Sequence, residues 1–359
     1  AQAPQSSSSR ARMARPARRQ LLPALAAITL KAVLAVDAPV SRAHLLRTAV
    51  LPGVREEASQ LPRLPATPRA PPWRLPLSVG LGTGGLRTVA AVALALRLGY
   101  RLLDTAAFYG NEEAVGRAVA EEVEAGRLRR QDVVVTTKVW WTDMGFERTS
   151  ASLTASLSRL GLDFVDLALV HWPGRWLSGD QEQNAGLRRG TWQALEEMVH
   201  AGKVRAIGVS NYTERHLDET LQYCSIPPAV NQIELHPYNQ QRSLQAACRD
   251  RNVQVEAYSP LASSQLGLLE DPVVLGLARQ KSATPAQVIL QWLLQKGAVP
   301  IPKSTSPTRL AENLAAPMRV GRLSEDEAAA LDSLERGAPC DLTARLLGGV
   351  GLLDPRRIA

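Results

Sequence analysis

From residue 72 onward, short runs of apolar and β-branched residues alternate with longer stretches whose apolar positions recur every three or four residues. The runs 77–82, 101–105, 133–138 (VVVTTK), 165–170 (VDLALV), 204–209 (VRAIGV), 229–234 (AVNQIE), 253–258 (VQVEAY) and 298–302 (AVPIP) have the length and composition of buried strands. Between them, segments such as NEEAVGRAVAEEVEAG and TSASLTASLSRLGL put their apolar side chains on one helical face. Each strand is followed by a helix candidate, and that alternation implies a parallel sheet. Eight such units in about 270 residues predict an α/β fold, a parallel eight-stranded (β/α)8 TIM barrel. A doubly wound sheet is the alternative, because closure cannot be read from one sequence.

The first 71 residues lack this pattern. They are rich in Arg, Ala, Ser and Pro, from AQAPQSSSSRARMARPARR to LPRLPATPRAP. The chain is therefore divided into a basic extension at 1–71, expected to be disordered, a barrel at 72–345 and a tail at 346–359. An Arg- and Ser-rich, acid-poor leader has the character of an organelle transit peptide; LLPALAAITLKAVLAV imitates a secretory apolar region interrupted by Lys31; an uninformative extension is the third reading.

Charge follows the same division. Of 42 Lys and Arg against 34 Asp and Glu, the first 71 residues hold 11 and 3, so they carry the whole net charge of +8 and the remainder balances at 31 each. A formally neutral body argues against a nucleic-acid groove. Three cysteines, Cys224, Cys248 and Cys340, form no C-x-x-C pair and leave an odd count, so neither a disulfide framework nor a zinc site is expected and a reducing compartment fits. No apolar run reaches the ~18 residues of a membrane span.

Gly80, Gly82 and Gly85 stand in G-x-G-x-x-G spacing, with Asp104 about where a dinucleotide-binding fold places its ribose acid. In a barrel the same residues read differently, because reactive side chains gather at the C-terminal strand ends and the loops beyond them. The second strand then ends at Asp104 with Tyr109 in its loop, the third at Lys138, and the fourth runs into His171. Singly, Lys138 reads as a solvated lysine and His171 as a satisfied core histidine. An acid, a phenol, an amine and an imidazole at matching ends of three neighbouring strands are a candidate catalytic set.

These residues sit in segments that resemble the aldo-keto reductase family over nearly all of 75–335. GYRLLDTAAFYGNEEAVGRA carries Asp104 and Tyr109, TTKVWWTD carries Lys138, and LALVHWPG carries His171. GKVRAIGVSNY, AVNQIELHPYNQQ, VEAYSPLASS and VPIPKSTSPTRLAEN follow in the family's order, and gaps of five, 34 and 67 residues from Asp104 to Tyr109, Lys138 and His171 fit its tetrad. On that resemblance the three glycines become turn residues after the first strand, and Asp104 becomes a catalytic-site acid. The implied activity is reduction of an aldehyde or ketone by hydride transfer from NADPH, with Tyr109 as general acid. Lys138 is expected to lower the phenol's pKa from its usual value of about 10. Asp104 would hold Lys138 and His171 would align the substrate oxygen. The alternative is a non-catalytic NADPH-binding accessory or structural barrel.

The resemblance also implies a cofactor site and a pocket. Ser210, Asn211 and Gln232 would hold the nicotinamide carboxamide and Tyr258 would stack on the ring. Ser259 and Leu261 follow in the same cofactor-binding segment. Lys303, Ser304 and Arg309 would surround the 2′-phosphate, and Glu312 and Asn313 the adenine. An Asn211 facing a cofactor is not a glycosylation acceptor, despite the Asn211-Tyr212-Thr213 sequon. Phe108, Trp140 and Trp172 are expected to line an apolar substrate pocket, with Trp141 packed outside it and 174–190 forming a mobile substrate loop. Gly84 stands where the family commonly has an aromatic residue, which predicts one pocket wall missing. No metal is implied. A small carbonyl compound is the expected partner and a monomer the expected state. The cytoplasm is the expected location, or a mitochondrion or plastid if residues 1–71 are a transit peptide.

Overall fold

A computed structural model describes residues 73–174, 181–264 and 266–340; the segments 1–71 and 346–359, and the targeting readings placed on the first of them, lie outside the described residues. Eight strands form one sheet in chain order, each parallel to the next: β1 (Leu81–Gly82), β2 (Leu102–Asp104), β3 (Val134–Val139), β4 (Val165–Val170), β5 (Val204–Ser210), β6 (Val230–Glu234), β7 (Gln254–Tyr258) and β8 (Val299–Pro300). The connections carry helices α1 (Val89–Leu98), α2 (Glu112–Glu124), α3 (Phe146–Leu160), α4 (Gln181–His200), α5 (Glu214–Tyr223) and α6 (Arg242–Asp250). Two more, α7 (Pro272–Gln280) and α8 (Pro285–Gln295), separate β7 from β8, and α9 (Pro307–Leu314) follows β8. Among the described residues no helix is long and apolar enough to cross a membrane.

All eight predicted strands are present, but β1 and β8 have two residues each where runs of six and five were expected. The seam between them explains the shortening. Gly80 N–H donates to Pro300 O at 2.9 Å and Gly82 N–H to Pro302 O at 3.2 Å, which closes the barrel. Pro300 and Pro302 have no N–H to return, so the seam carries half a ladder. A Cβ at Gly82 would lie 2.7 Å from Ile301 O, and one at Gly80 would lie 2.9 Å from Ile301 Cγ2 across the seam and 2.6 Å from Leu102 Cδ2 on β2. Those two glycines therefore serve close approach across the seam, which corrects their reading as turn residues. Gly85, at φ +82, is the true turn glycine of the three.

The strands separate two apolar clusters. The larger lies between sheet and helices and includes Val92, Val119, Val135, Leu153, Ile207 and Leu290. The smaller fills the barrel, where Leu102, Val134, Val230 and Val299, the first residues of their strands, meet Trp73 and Leu75. Leu75 is tied there at both ends of its peptide: its N–H donates to Gln254 Oε1 at 2.7 Å, and Gln254 Nε2 donates to its carbonyl at 3.1 Å. The residues just before β1 thus close the bottom of the barrel.

The expected loop at 174–190 is corrected from Gln181 onward, where α4 begins. Its buried residues are polar in the first half, Asn184, Arg188 and Thr191, and include the apolar Trp192, Ala194 and Leu195 only beyond them, so burial at the start of this helix is not announced by apolar periodicity. Arg188 forks onto Glu219 at 2.8 and 2.6 Å and donates to Pro173 O at 2.9 Å. Residues 175–180 lie outside the described residues.

Candidate active site

Asp104 is the last residue of β2, Lys138 lies near the end of β3, and His171 follows β4 directly. Tyr109 ends a single 3₁₀ turn, Ala107–Tyr109, and Gly110 in the left-handed region (φ 62) turns the chain out of it. Asn111 then pins the loop. Its Nδ2 donates to Thr83 O at 2.8 Å and Leu86 O at 2.7 Å, while Thr105 Oγ1 donates to its Oδ1 at 2.7 Å. This buried amide locks the loops after β1 and β2 together, and with them the position of Tyr109. In the sequence, the one mark of Asn111's role is its place directly after Tyr-Gly at a helix start.

The four predicted residues converge. Lys138 Nζ lies 2.7 Å from Asp104 Oδ1, 3.1 Å from Thr105 O and 3.2 Å from Tyr109 Oη. His171 stands edge-on to the Tyr109 ring, with centroids 5.8 Å apart and planes at 83°. Burial pulls the Lys138 ammonium toward neutrality, but Asp104 and then Tyr109 outweigh it and hold the amine above its ordinary range. Burial and Lys138 both push His171 well below its usual value, so the imidazole is neutral. For Tyr109, burial raises the phenol most; Lys138 lowers it, as expected, and Asp104 raises it again, and the net direction is up because burial outweighs the ammonium. The phenol therefore keeps its proton through the physiological range.

The amides around this centre are heavily engaged. Gln232 Nε2 donates to Asp104 Oδ2 at 2.8 Å and to Glu256 Oε2 at 2.7 Å, so only its Oε1 is left to face a ligand. Asn211, at φ 61 and buried, donates to His171 O at 3.0 Å and accepts from Tyr258 Oη at 2.9 Å. Ser210 Oγ donates to Gln232 O at 2.9 Å. Ser210, Asn211, Gln232 and Tyr258 are thereby joined to the tetrad. Beyond Tyr258 the backbone takes left-handed values at Ser259, Ala262 and Ser263, none of them glycine, while Leu261 packs against the outer core. Such strain concentrates at functional segments.

After β8, Lys303 and Arg309 are exposed and make no ion pair with any described residue. Ser304 is buried and its Oγ accepts from Ser306 N–H at 3.1 Å. Ser306 caps α9 by accepting from Arg309 N–H, which sets Arg309 in the first turn. Glu312 lends its carbonyl to Gln287 Nε2 at 2.9 Å, and Asn313 is buried on the same helix. Two uncompensated cations beside a capped helix start suit an anion such as a phosphate.

On the tetrad's open side, Phe108 and Trp140 stack with centroids 3.9 Å apart, and Trp140 meets His171 edge-on at 4.9 Å. Trp172 is buried next to His171, and Trp141 packs on the outer core. A Cβ at Gly84 would lie 3.5 Å from Tyr109 Cζ, so any side chain there would cover the phenol ring; glycine leaves that face open.

At the rim, Glu234, His236 and Cys340 bring three buried donor groups within 4.8 Å. His236 Nε2 lies 2.9 Å from Glu234 Oε1 and 3.7 Å from Cys340 Sγ, and Cys340 N–H donates to the same carboxylate. The trio ties Cys340 to the end of β6. Burial, then Glu234, push the Cys340 thiol up to about 12, so it stays protonated. All three cysteines are free.

The Aldo/keto reductase family profile matches residues 86–336. The chain belongs to the aldo-keto reductase family. It is 41% identical over 262 residues to a 9,11-endoperoxide prostaglandin H2 reductase of Trypanosoma cruzi, covering 73% of this chain and 87% of that one. It is also 41% identical over 269 residues to a glyoxal reductase of Bacillus subtilis, covering 74% and 89%. Among solved structures, an aldo-keto reductase from a Medee basin deep-sea metagenome library aligns with TM-score 0.67 at 37% identity, covering 75% of this chain and 96% of that one. The family is one of oxidoreductases, and the eight-stranded barrel agrees with it.

Proposed function

We propose that this aldo-keto reductase reduces aldehydes or ketones to alcohols with NADPH, and that Tyr109 donates the proton. The observation that carries the reading is the Lys138 ammonium, 2.7 Å from Asp104 and 3.2 Å from the Tyr109 hydroxyl, beside a neutral His171. NADPH would supply a hydride to the carbonyl carbon. The residues of the chain handle the rest. As negative charge develops on the substrate oxygen, the Tyr109 O–H bond breaks and its proton passes to that oxygen. The tyrosinate left behind is stabilised by Lys138 at hydrogen-bond distance and is reprotonated from solvent. A phenol with a raised pKa is a donor that is always loaded, and it transfers only when the acceptor has become strongly basic. The neutral His171 ring donates a hydrogen bond to the same oxygen and fixes its direction.

The residues present fit the dinucleotide. Gln232 offers its carbonyl oxygen, which suits the N–H of a carboxamide. Ser210 and Asn211 complete that site, and Tyr258 flanks it. Ser259, with its left-handed backbone, and Leu261 would contribute to holding the dinucleotide in the segment after Tyr258. Lys303, Ser304 and Arg309 would hold the 2′-phosphate, whose charge selects NADPH over NADH, and Glu312 and Asn313 would meet the adenine. Phe108, Trp140 and Trp172 provide apolar walls for a small carbonyl substrate. The tetrad is complete within one chain, which supports a monomer, and free cysteines support a reducing compartment such as the cytoplasm. The test is NADPH oxidation across a panel of aldehydes, ketones and dicarbonyls including glyoxal. Turnover of at least one class is expected; no turnover of any overturns the reading.

A further inference from the structure

Glu256, on β7, is a fully buried carboxylate inside the barrel that the proton-transfer scheme does not use. It pairs in register with Gln232 on β6, so the two side chains point to the same side of the sheet. Gln232 Nε2 divides its two hydrogens between Glu256 Oε2 at 2.7 Å and Asp104 Oδ2 at 2.8 Å. Asp104 in turn holds Lys138 through its other oxygen. The result is one chain of contacts, Glu256–Gln232–Asp104–Lys138–Tyr109, that starts in the barrel interior and ends at the hydroxyl on the rim. The second Glu256 oxygen, Oε1, is buried with no hydrogen-bond partner among the described residues. A lone buried carboxylate oxygen is costly, and its retention needs a reason.

We propose that Glu256 is a positioning residue for the reaction: through Gln232 it fixes Asp104, and so the Lys138–Tyr109 pair, while presenting the Gln232 carbonyl to the cofactor. The amide geometry carries this. With both hydrogens taken by carboxylates, Gln232 cannot flip, and neither can Asp104 rotate away from Lys138 without losing a buried hydrogen bond. The inference rests on the reductase reading for its catalytic consequence, though not for its structural one.

The charge on Glu256 gives the chain a second property. The groups facing it are Asp104 from β2, Lys138 from β3, Tyr109 from the loop after β2 and the neutral Gln232 from β6, while β8 offers Val299. Burial, then the Asp104 charge, raise the Glu256 carboxyl to about 8. Below that pH it is neutral. Above it, a second buried negative charge appears near Tyr109, and that charge tightens the phenol's hold on its proton.

The experiment compares the full chain with Glu256→Gln, which keeps an acceptor for Gln232 but removes the charge, and Glu256→Leu, which removes both. Three outcomes support the proposal. Turnover of the wild-type chain falls through an inflection near pH 8 that is absent in Glu256→Gln. Glu256→Leu loses about tenfold in kcat with substrate KM within about twofold, as expected for lost alignment. The Tyr109 ionisation, read as ultraviolet tyrosinate absorbance against a Tyr109→Phe background, moves to lower pH in Glu256→Gln. A pH profile of Glu256→Gln that superimposes on the wild type, or an unchanged Tyr109 titration, overturns it. Should Glu256→Leu fail to fold, the glutamine variant carries the decision. A wild-type chain without carbonyl turnover defeats the reductase reading instead, and the tyrosinate titration still decides the role of Glu256.

Discussion

At the N-terminal ends of the strands, Leu102, Val134 and Val230 meet Trp73 and Leu75 in an apolar plug. A few residues further along the same strands, Asp104, Lys138 and Gln232 meet Glu256 in a charged network that is equally buried. Leu102 and Asp104, or Val230 and Gln232, are two residues apart on one strand, so they face the same interior. The two ends differ in how they are held. The plug is non-directional, and its energy scales with the apolar area it removes from water. In the network Asp104, Lys138 and Gln232 each depend on a named partner, and losing one partner strands another in a medium that cannot solvate it. Stability can therefore be withdrawn from the bottom while the chemistry survives, whereas little can be taken from the top without harming both.

The largest expected effect breaks the top. Lys138→Met leaves Asp104 buried without its cation, which is expected to cost about 3–5 kcal/mol of stability. It also removes the charge beside Tyr109 and is expected to lower kcat about 10²- to 10⁴-fold. Denaturant melts and steady-state rates check the two losses together; a folded variant with near-normal turnover would deny Lys138 its role. Next comes the bottom. Trp73→Ala is expected to cost about 3–5 kcal/mol, almost all of it packing, because the indole N–H has no partner among the described residues. Its kcat, corrected for the folded fraction, should match the wild type; a separate fall in kcat would show that the two ends are coupled. The smallest effect lies away from both ends, on the α9 first turn. Arg309→Ala is expected to weaken NADPH about 10- to 100-fold, the worth of one charge-assisted hydrogen bond, and NADH little. Fluorescence titration with both dinucleotides measures it, and equal weakening would remove Arg309 from the 2′-phosphate.

How much of this was legible in sequence follows the same division. β4 falls on its predicted run, 165–170, because a strand buried on both faces reads as an unbroken apolar stretch. β1 and β8 came out longer in sequence than in structure, since a run of apolar residues does not reveal that prolines at 300 and 302 can accept hydrogen bonds but not return them. Asp104, Lys138 and His171 were readable from their places at strand ends, and Tyr109 from the loop beyond. The amide chain behind them was not. Gln232 and Glu256 lie 128 residues and more from Asp104, and a polar residue inside a strand carries no mark of what it faces across a barrel. The first half of α4 was missed for a related reason: its buried face holds Asn184 and Arg188, and a Cβ at Gly190 would lie 3.1 Å from Phe146 N, so the small residue there serves close approach to α3.

The central claim is that the rim works by proton donation from Tyr109, separately from cofactor binding. Tyr109→Phe tests it most directly, because the substitution removes one oxygen and leaves the ring, with its edge-on contact to His171, in place. NADPH-dependent carbonyl turnover and NADPH affinity are measured on the same preparation. The account predicts that turnover falls about 10²- to 10⁴-fold, while NADPH binds within about twofold of the wild type. Near-normal turnover in the phenylalanine variant would contradict it.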